Sequence, residues 1–223
     1  MSHGPQRSST RRTSMNVSII GAGNMAKGLA AVFTAAGHRV TIAARDKVKG
    51  EAAAQEAGNG ATAGSIAEAA AADIVVLAVP YQGAFEAIEA AGGLVGKIVI
   101  DITNPMTEDF SGLSIGHTTS AAEEIQKKFP HARLVKAFNT VFAQVLQNGG
   151  KIAGKPVTVF VAGDDAEART KVVELAQDAG FETQVTGSLS TARYLEPVAA
   201  LNITLGYGLG HGVAIAPTWQ RAA

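Results

Sequence analysis

The chain has 223 residues, 47% of them apolar, with 19 Lys plus Arg against 19 Asp plus Glu and no cysteine. That length and apolar share suit one large domain, or a nucleotide domain with a small appendage, around a substantial core. A formal net charge of zero removes the basic field of a nucleic-acid binder. The missing cysteines exclude disulfides, thiol catalysis and thiolate-held metals or iron–sulfur clusters, and they fit a cytoplasmic protein. No apolar run approaches the roughly 20 residues of a membrane span, so no membrane partner is expected.

The segment 1–14 is polar, carries Arg7, Arg11 and Arg12, and lacks the apolar stretch of a secretory signal. It is expected to be a disordered leader ahead of Met15. Asn16-Val17-Ser18-Ile19-Ile20 then reads as a buried strand that ends directly in Gly21-Ala22-Gly23. Ala26, Leu29, Ala30 and Phe33 recur at helical spacing, which predicts a helix from Asn24 to Ala36 closed by Gly37. Val40 to Ala43 is a second strand, Asp46 is placed to cap a helix starting near Lys47, and Ala61-Thr62 is a short third strand.

Ser65 and Glu68 have the spacing of a capping box and predict a helix to Ala72, before the apolar strand from Asp73 to Pro80. A helix from Gln82 to Ala91 and a strand from Lys97 to Ile102 follow, then a loop with Asn104-Pro105. Ser120 and Glu123 open another helix, which runs to Phe129, and Arg133 to Phe138 is the next strand. Val157 to Ala162 and Phe181 to Val185 are two more strands around a helix that Asp164 or Asp165 caps. A last helix from Ser190 to Leu205 precedes a glycine-rich tail; its apolar face, Leu195, Val198, Leu201 and Leu205, reads as core, with a homodimer contact as the other use.

Strands that alternate with helices need crossovers, so the expected fold is α/β: a Rossmann-like, doubly wound, mostly parallel sheet with a small C-terminal α/β extension. The expected organisation is the leader over 1–14, a Rossmann domain over 15–145 whose ligand the residues below indicate, and a small C-terminal region over 146–223 for a substrate pocket, with dimerisation as its other use.

The first strand–glycine–helix unit carries the chemistry. Gly21 takes the tight turn, Gly23 offers no side chain to block a pyrophosphate, and Ala26 lets the helix pack close to the sheet. The unpaired N–H groups from Ala22 to Met25 then face the phosphates. After the second strand an NAD site places an acid, but here Ala44 is followed by Arg45, with Lys49 one helical turn further. A planar guanidinium and a nearby ammonium suit the 2′-phosphate of NADP. Taken alone, either would be an ordinary surface cation.

These residues, together with Ala78-Val79-Pro80-Tyr81, Asp101 to Pro105, Val135 to Thr140, Ala162 to Asp165 and Arg193 to Glu196, resemble the NADPH-dependent coenzyme F-420 reductases, and the related NADPH domains of ferric reductases. The resemblance spans about 16–216. It implies an oxidoreductase that transfers a hydride between NADP(H) and a deazaflavin or flavin. It also implies that Ala78, Val79, Pro80 and Tyr81 pass beside the ribose and nicotinamide with Asn104 and Ala137. The acceptor ring would meet Asn104, Pro105, Asn139, Thr140 and Val141.

Two positions depart from that pattern. Ala44 stands where the family often carries serine, which removes one phosphate contact. Asn139 stands where the better-known members carry histidine; as an amide it could donate to a carboxamide or a ring carbonyl.

No catalytic residue is obligatory, because hydride transfer needs two rings held face to face and shielded from water. His117, His131 and His211 are candidate proton donors, each read first as an ordinary loop residue. The scattered histidines and unpaired carboxylates give no metal-ligand spacing. Two alternatives stay open: a non-catalytic NADP(H) sensor or scaffold, and a flavin or quinone reductase of the same geometry. The partner in either enzyme reading is a small-molecule redox acceptor.

Overall fold

The computed structural model describes residues 13–219. Most of the expected leader, residues 1–12, lies outside the described residues, as does 220–223. In chain order the main elements are β1 (Asn16–Ile20), α1 (Asn24–Ala35), β2 (Arg39–Ala43), α2 (Lys47–Ala57), β3 (Thr62–Gly64), β4 (Ile74–Leu77), α3 (Tyr81–Ala90) and β5 (Ile98–Asp101). They continue with α4 (Ala121–Lys128), β6 (Arg133–Lys136), α5 (Ala143–Gln147), β7 (Lys151–Ile152), β8 (Lys155–Pro156), β9 (Thr158–Gly163), α6 (Ala166–Asp178), β10 (Glu182–Gly187) and α7 (Ala192–Ile203).

An eight-stranded sheet in the order β10-β9-β6-β5-β4-β1-β2-β3 forms the middle layer. From β3 across to β6 every pairing is parallel, as the crossover helices require. β9 is antiparallel to β6, and β10 lies parallel to β9. The reversal arises because α5 and the β7–β8 hairpin, and no full crossover, separate β6 from β9.

Successive strand side chains point to opposite faces, and the two halves of the core follow that alternation. Val17, Ile19, Ile74, Val76 and Ile100 pack with α1, α5 and α6 on one face. Ile20, Val75, Leu77 and Val99 pack with α3 and α4 on the other. Helices on both faces of a mostly parallel sheet make the fold Rossmann-like, as the sequence predicts.

The predicted caps form. Asp46 accepts from the Lys49 N–H at 3.1 Å, and Ser120 from that of Glu123 at 3.2 Å. Of the two candidates for α6, Asp165 is the cap, at 2.8 Å from the Ala168 N–H; Asp164 instead holds the Leu189 N–H at 2.9 Å. Two expectations change. Ile66–Ala71, behind the Ser65–Glu68 pair, is a 3-10 helix, too short for an α-helical ladder before β4 begins. The last helix starts later than Ser190 and passes into a π turn, Thr204–Gly208. On α7, Leu195 is core, whereas Leu201 is exposed, so that face is only partly covered.

Candidate functional site

β1 sits where the strand order reverses, with β2 on one side and β4 on the other. The crevice beyond the carboxyl ends at such a point is where open α/β sheets bind ligands. Gly21 occupies it. Its φ is 129°, a region closed to other residues, and a Cβ there would be driven into the Ala78 carbonyl after β4. The turn is held by Gly21 N–H to the Ala43 carbonyl and Ala78 N–H to the Ile20 carbonyl, both at 2.9 Å.

Gly23 is different. It has the extended φ of −81°, and a Cβ would meet nothing within 4 Å. It is also the N-cap of α1, and no side chain caps that helix. The N–H groups of Asn24 and Met25 thus open onto the crevice with the positive end of the helix dipole behind them. The space over Gly23 is open. Ala22 and Met25 are half-buried beside it, and Ala26 is fully buried against the sheet.

Beyond β2, Arg45 is exposed and pairs with Glu86 of α3 at 3.2 Å. It shares a small cavity of about 100 Å³ with Val79 and Pro80, which follow β4. Lys49 is exposed on the first turn of α2, whereas Ala44 offers no polar group. Tyr81, half-buried, opens α3 with its ring edge-on to Phe85; burial and nearby carboxylates, Glu124 foremost, push its hydroxyl pKa up.

A larger cavity, about 630 Å³, begins at Asn24 and Met25 and runs along the ends of β5 and β6. It gathers Asn104, Asn139, Thr140 and Val141 as expected. Pro105 and Ala137 are buried outside its lining. The intervening Phe138 explains the split. At φ 61° the backbone turns over, so the Phe138 ring packs edge-on against Phe33 and Phe181 in the core while its neighbour Asn139 lines the cavity.

Phe110, Gln144, Asn202 and Tyr207 also line the cavity, and sequence reasoning had not singled them out. They lie on a loop, a short helix, α7 and the following turn, with no shared spacing. The one sequence signal was Gly206, whose missing Cβ lets the tail close on Phe142, placing the Tyr207 ring 5.4 Å from it. His117, His131 and His211 are all exposed, and none lines this cavity.

The polar contacts at the cavity floor differ from expectation. Asn139 donates through Nδ2 to Asn104 Oδ1 at 3.0 Å and to the Leu195 carbonyl at 3.1 Å. Both amide hydrogens are therefore committed, and the donation to a ligand carbonyl expected of Asn139 is not available. Below, Lys136 Nζ is fully buried and binds Asp101 at 2.9 Å and Glu196 at 2.8 Å. Glu196 also accepts from Ala121 N–H at 2.9 Å, at the start of α4. Burial disfavours the Lys136 ammonium, but the two carboxylates outweigh it and raise its pKa. Burial raises Glu196 as well, since one cation cannot compensate both acids.

Residues 16–105 match the family described as NADP oxidoreductase, coenzyme F420-dependent. Over that segment the chain is similar to this family. A crystal structure from Arthrobacter sp. FB24, described as a candidate F420-dependent NADP-reductase, is 29% identical with a TM-score of 0.83, covering 93% of this chain and 100% of that one. A hypothetical protein from Sinorhizobium meliloti is 27% identical with a TM-score of 0.72, over 82% and 90%. The reductive aminase of Aspergillus terreus, at 19% identity and TM-score 0.63 over 89% and 64%, shares the fold.

Among curated proteins, Metalloreductase STEAP3 of Rattus norvegicus is 30% identical over 192 residues, 82% of this chain and 36% of the relative. Metalloreductase STEAP2 of Homo sapiens is 37% identical over 115 residues, 52% of this chain and 22% of the relative. The chain thus spans about a third or less of these curated relatives.

Proposed function

We propose that the protein transfers a hydride between NADP(H) and a flat heteroaromatic acceptor, a deazaflavin such as coenzyme F-420 or a flavin. The observation that carries this reading is continuity: the cavity of about 630 Å³ starts at Asn24 and Met25, at the uncapped start of α1, and runs on to Asn139, Thr140 and Tyr207. Gly21, Ala22, Gly23 and the N–H groups of Asn24 and Met25 would hold the pyrophosphate. Arg45 and Lys49 would hold the 2′-phosphate, with Ala44 contributing no hydrogen bond. Ala78, Val79, Pro80 and Tyr81, with Asn104, would border the ribose and nicotinamide.

NADPH, when bound, would supply a hydride, two electrons with one proton, and solvent would supply the proton that completes reduction of the ring. The protein's part is to orient and to exclude water. Asn139, Thr140 and Val141 would border the acceptor beneath Phe110 and Tyr207, with Asn104 between the rings and Pro105 behind it.

A panel of acceptors tests this. NADPH oxidation followed optically with a deazaflavin, a flavin and a quinone should show turnover with at least one planar heterocycle. Tight NADPH binding without oxidation by any acceptor would favour the sensor or scaffold reading. The metalloreductase relatives support a second reading, in which electrons from NADPH continue to a metal ion as substrate. Among the described residues no group of three or more His, Cys, Asp or Glu is placed to hold a metal ion. None of their helices is long and apolar enough to cross a membrane.

A further inference from the structure

The cavity beside α1 is lined by uncharged side chains throughout: five amides, one threonine, one tyrosine and otherwise apolar residues. Among the described residues, every lysine and arginine on α1, β5, β6, α5 and α7 is paired with a carboxylate. Lys27 of α1 meets Glu56 at 2.6 Å, Arg133 of β6 meets Asp165 at 2.8 Å, and Arg193 of α7 meets Glu123 at 2.6 Å. Lys136 lies beneath the floor between Asp101 and Glu196, one ammonium to two carboxylates. That imbalance is felt at Tyr81, whose hydroxyl pKa is pushed up first by burial and then by Glu124, Glu196 and Asp101, against Lys136 alone. The mouth is acidic as well. Phe110 is the tip of a small hairpin closed by the Met106–Leu113 bridge, and Glu108 and Asp109 stand exposed just before it. The Thr107 and Ser111 hydroxyls donate to Asp109 at 2.6 and 2.8 Å and, with the Ser111 N–H, hold its carboxyl down to about 2, so it is ionised at neutral pH.

An anion taken out of water needs a cation or a set of directed donors. The amide nitrogens of Asn104, Asn139 and Asn202 already donate to backbone carbonyls of the protein. The N–H groups of Asn24 and Met25 suit an anion, but a dinucleotide pyrophosphate held there would add negative charge to the same cavity. We infer that the cavity selects its occupant by charge: the hydride acceptor it admits is uncharged, and forms of the same ring that carry a phosphate or carboxylate tail are disfavoured. This rests on the reading that the cavity holds the acceptor. Charge, and not the kind of ring, then sets the class, so that an uncharged quinone and a tail-free flavin nucleus both qualify while a phosphate-tailed flavin or deazaflavin does not.

The probes are riboflavin and flavin mononucleotide, which share one ring and differ by a phosphate on the tail, with menadione as an uncharged quinone. Each takes the hydride of NADPH and one proton from solvent, so the two flavins isolate the tail. With NADPH oxidation followed optically, kcat/KM for riboflavin should exceed that for the mononucleotide by at least about fivefold, and this ratio should fall at least about twofold in Glu108→Lys, which reverses one charge at the mouth. Should that variant not fold, the wild-type ratio decides alone. Equal or faster reduction of the mononucleotide, a ratio unaltered in folded Glu108→Lys, or no reduction of riboflavin would overturn the inference. Reduction of any of the three probes in those cases leaves hydride transfer standing. Absence of NADPH oxidation with all three would overturn the hydride-transfer reading as well.

Discussion

In the proposed complex Arg45 would have two anions within reach, Glu86 and the 2′-phosphate. In the structure it pairs with Glu86, yet both side chains are mostly in water, at 78% and 70% exposure, so the pair is worth no more than about 1 kcal/mol. A 2′-phosphate offers more charge and several acceptor oxygens to the same guanidinium, in a geometry the planar fork matches. Arg45→Ala should therefore weaken NADPH binding by about 10- to 100-fold, the value of one or two charge-assisted hydrogen bonds, and leave NADH binding unchanged. Titration calorimetry with both nucleotides checks this; an equal loss for NADH would place Arg45 away from the 2′-position. Glu86→Ala removes the competitor, and NADPH should bind more tightly, by up to about fivefold. Arg45 was legible in the sequence because it follows a strand end by rule, whereas Glu86 was not, since only the fold brings α3 against that loop.

The turn between β1 and α1 separates two glycines that look alike in sequence. Gly21 is needed by the fold: any side chain there meets both a forbidden φ and the Ala78 carbonyl. Gly21→Ala should lower stability by at least about 1–3 kcal/mol, seen as an earlier denaturant midpoint. Gly23 is not needed by the fold, and in the proposed complex its bare backbone would face the pyrophosphate. Its φ suits alanine and its surroundings are open, so Gly23→Ala should keep stability within about 0.5 kcal/mol while NADPH affinity falls at least tenfold. Unaltered NADPH affinity in Gly23→Ala would remove the pyrophosphate from this turn. The same contrast marks what sequence reveals about elements. Strands β1 to β6 and the caps Asp46, Ser120 and Asp165 were legible, because apolar runs and side-chain caps are local signals. The reversal at β9, the short α5 and the hairpin β7–β8 were not, since these short segments take their form from contacts distant in sequence, α5 against α1, the hairpin against α5 and β9 against β6. Asn104 and Asn139 could be placed at strand ends, but which way an amide faces depends on partners more than thirty residues apart.

Across the whole molecule, the buried cluster of Lys136, Asp101 and Glu196 ties the nucleotide end of the sheet to the C-terminal helix. Lys136 ends β6, Asp101 ends β5, and Glu196 belongs to α7, which also supplies Ala199, Asn202 and Ile203 to the cavity. Asn202 reinforces the tie by donating to the Thr140 carbonyl at 3.2 Å. Lys136→Met would leave two carboxylates buried without their cation, a loss of about 3–5 kcal/mol, partly recovered when Glu196→Gln is added. Because α7 would lose its anchor, the acceptor should bind less well than NADPH does in any folded fraction of the variant. The pH dependence has a definite sign. Asp101 and Glu196 hold the folded pKa of Lys136 above the ordinary lysine value, so the folded state keeps this proton to higher pH than the unfolded chain does. Its contribution is complete below about pH 10.4 and is lost as pH rises through the folded value. Denaturant unfolding at pH 7 and at successive values above 10 should show the stability difference between wild type and Lys136→Met narrowing with alkali. A difference that stays constant there would mean that the ammonium is not what holds α7 to the sheet.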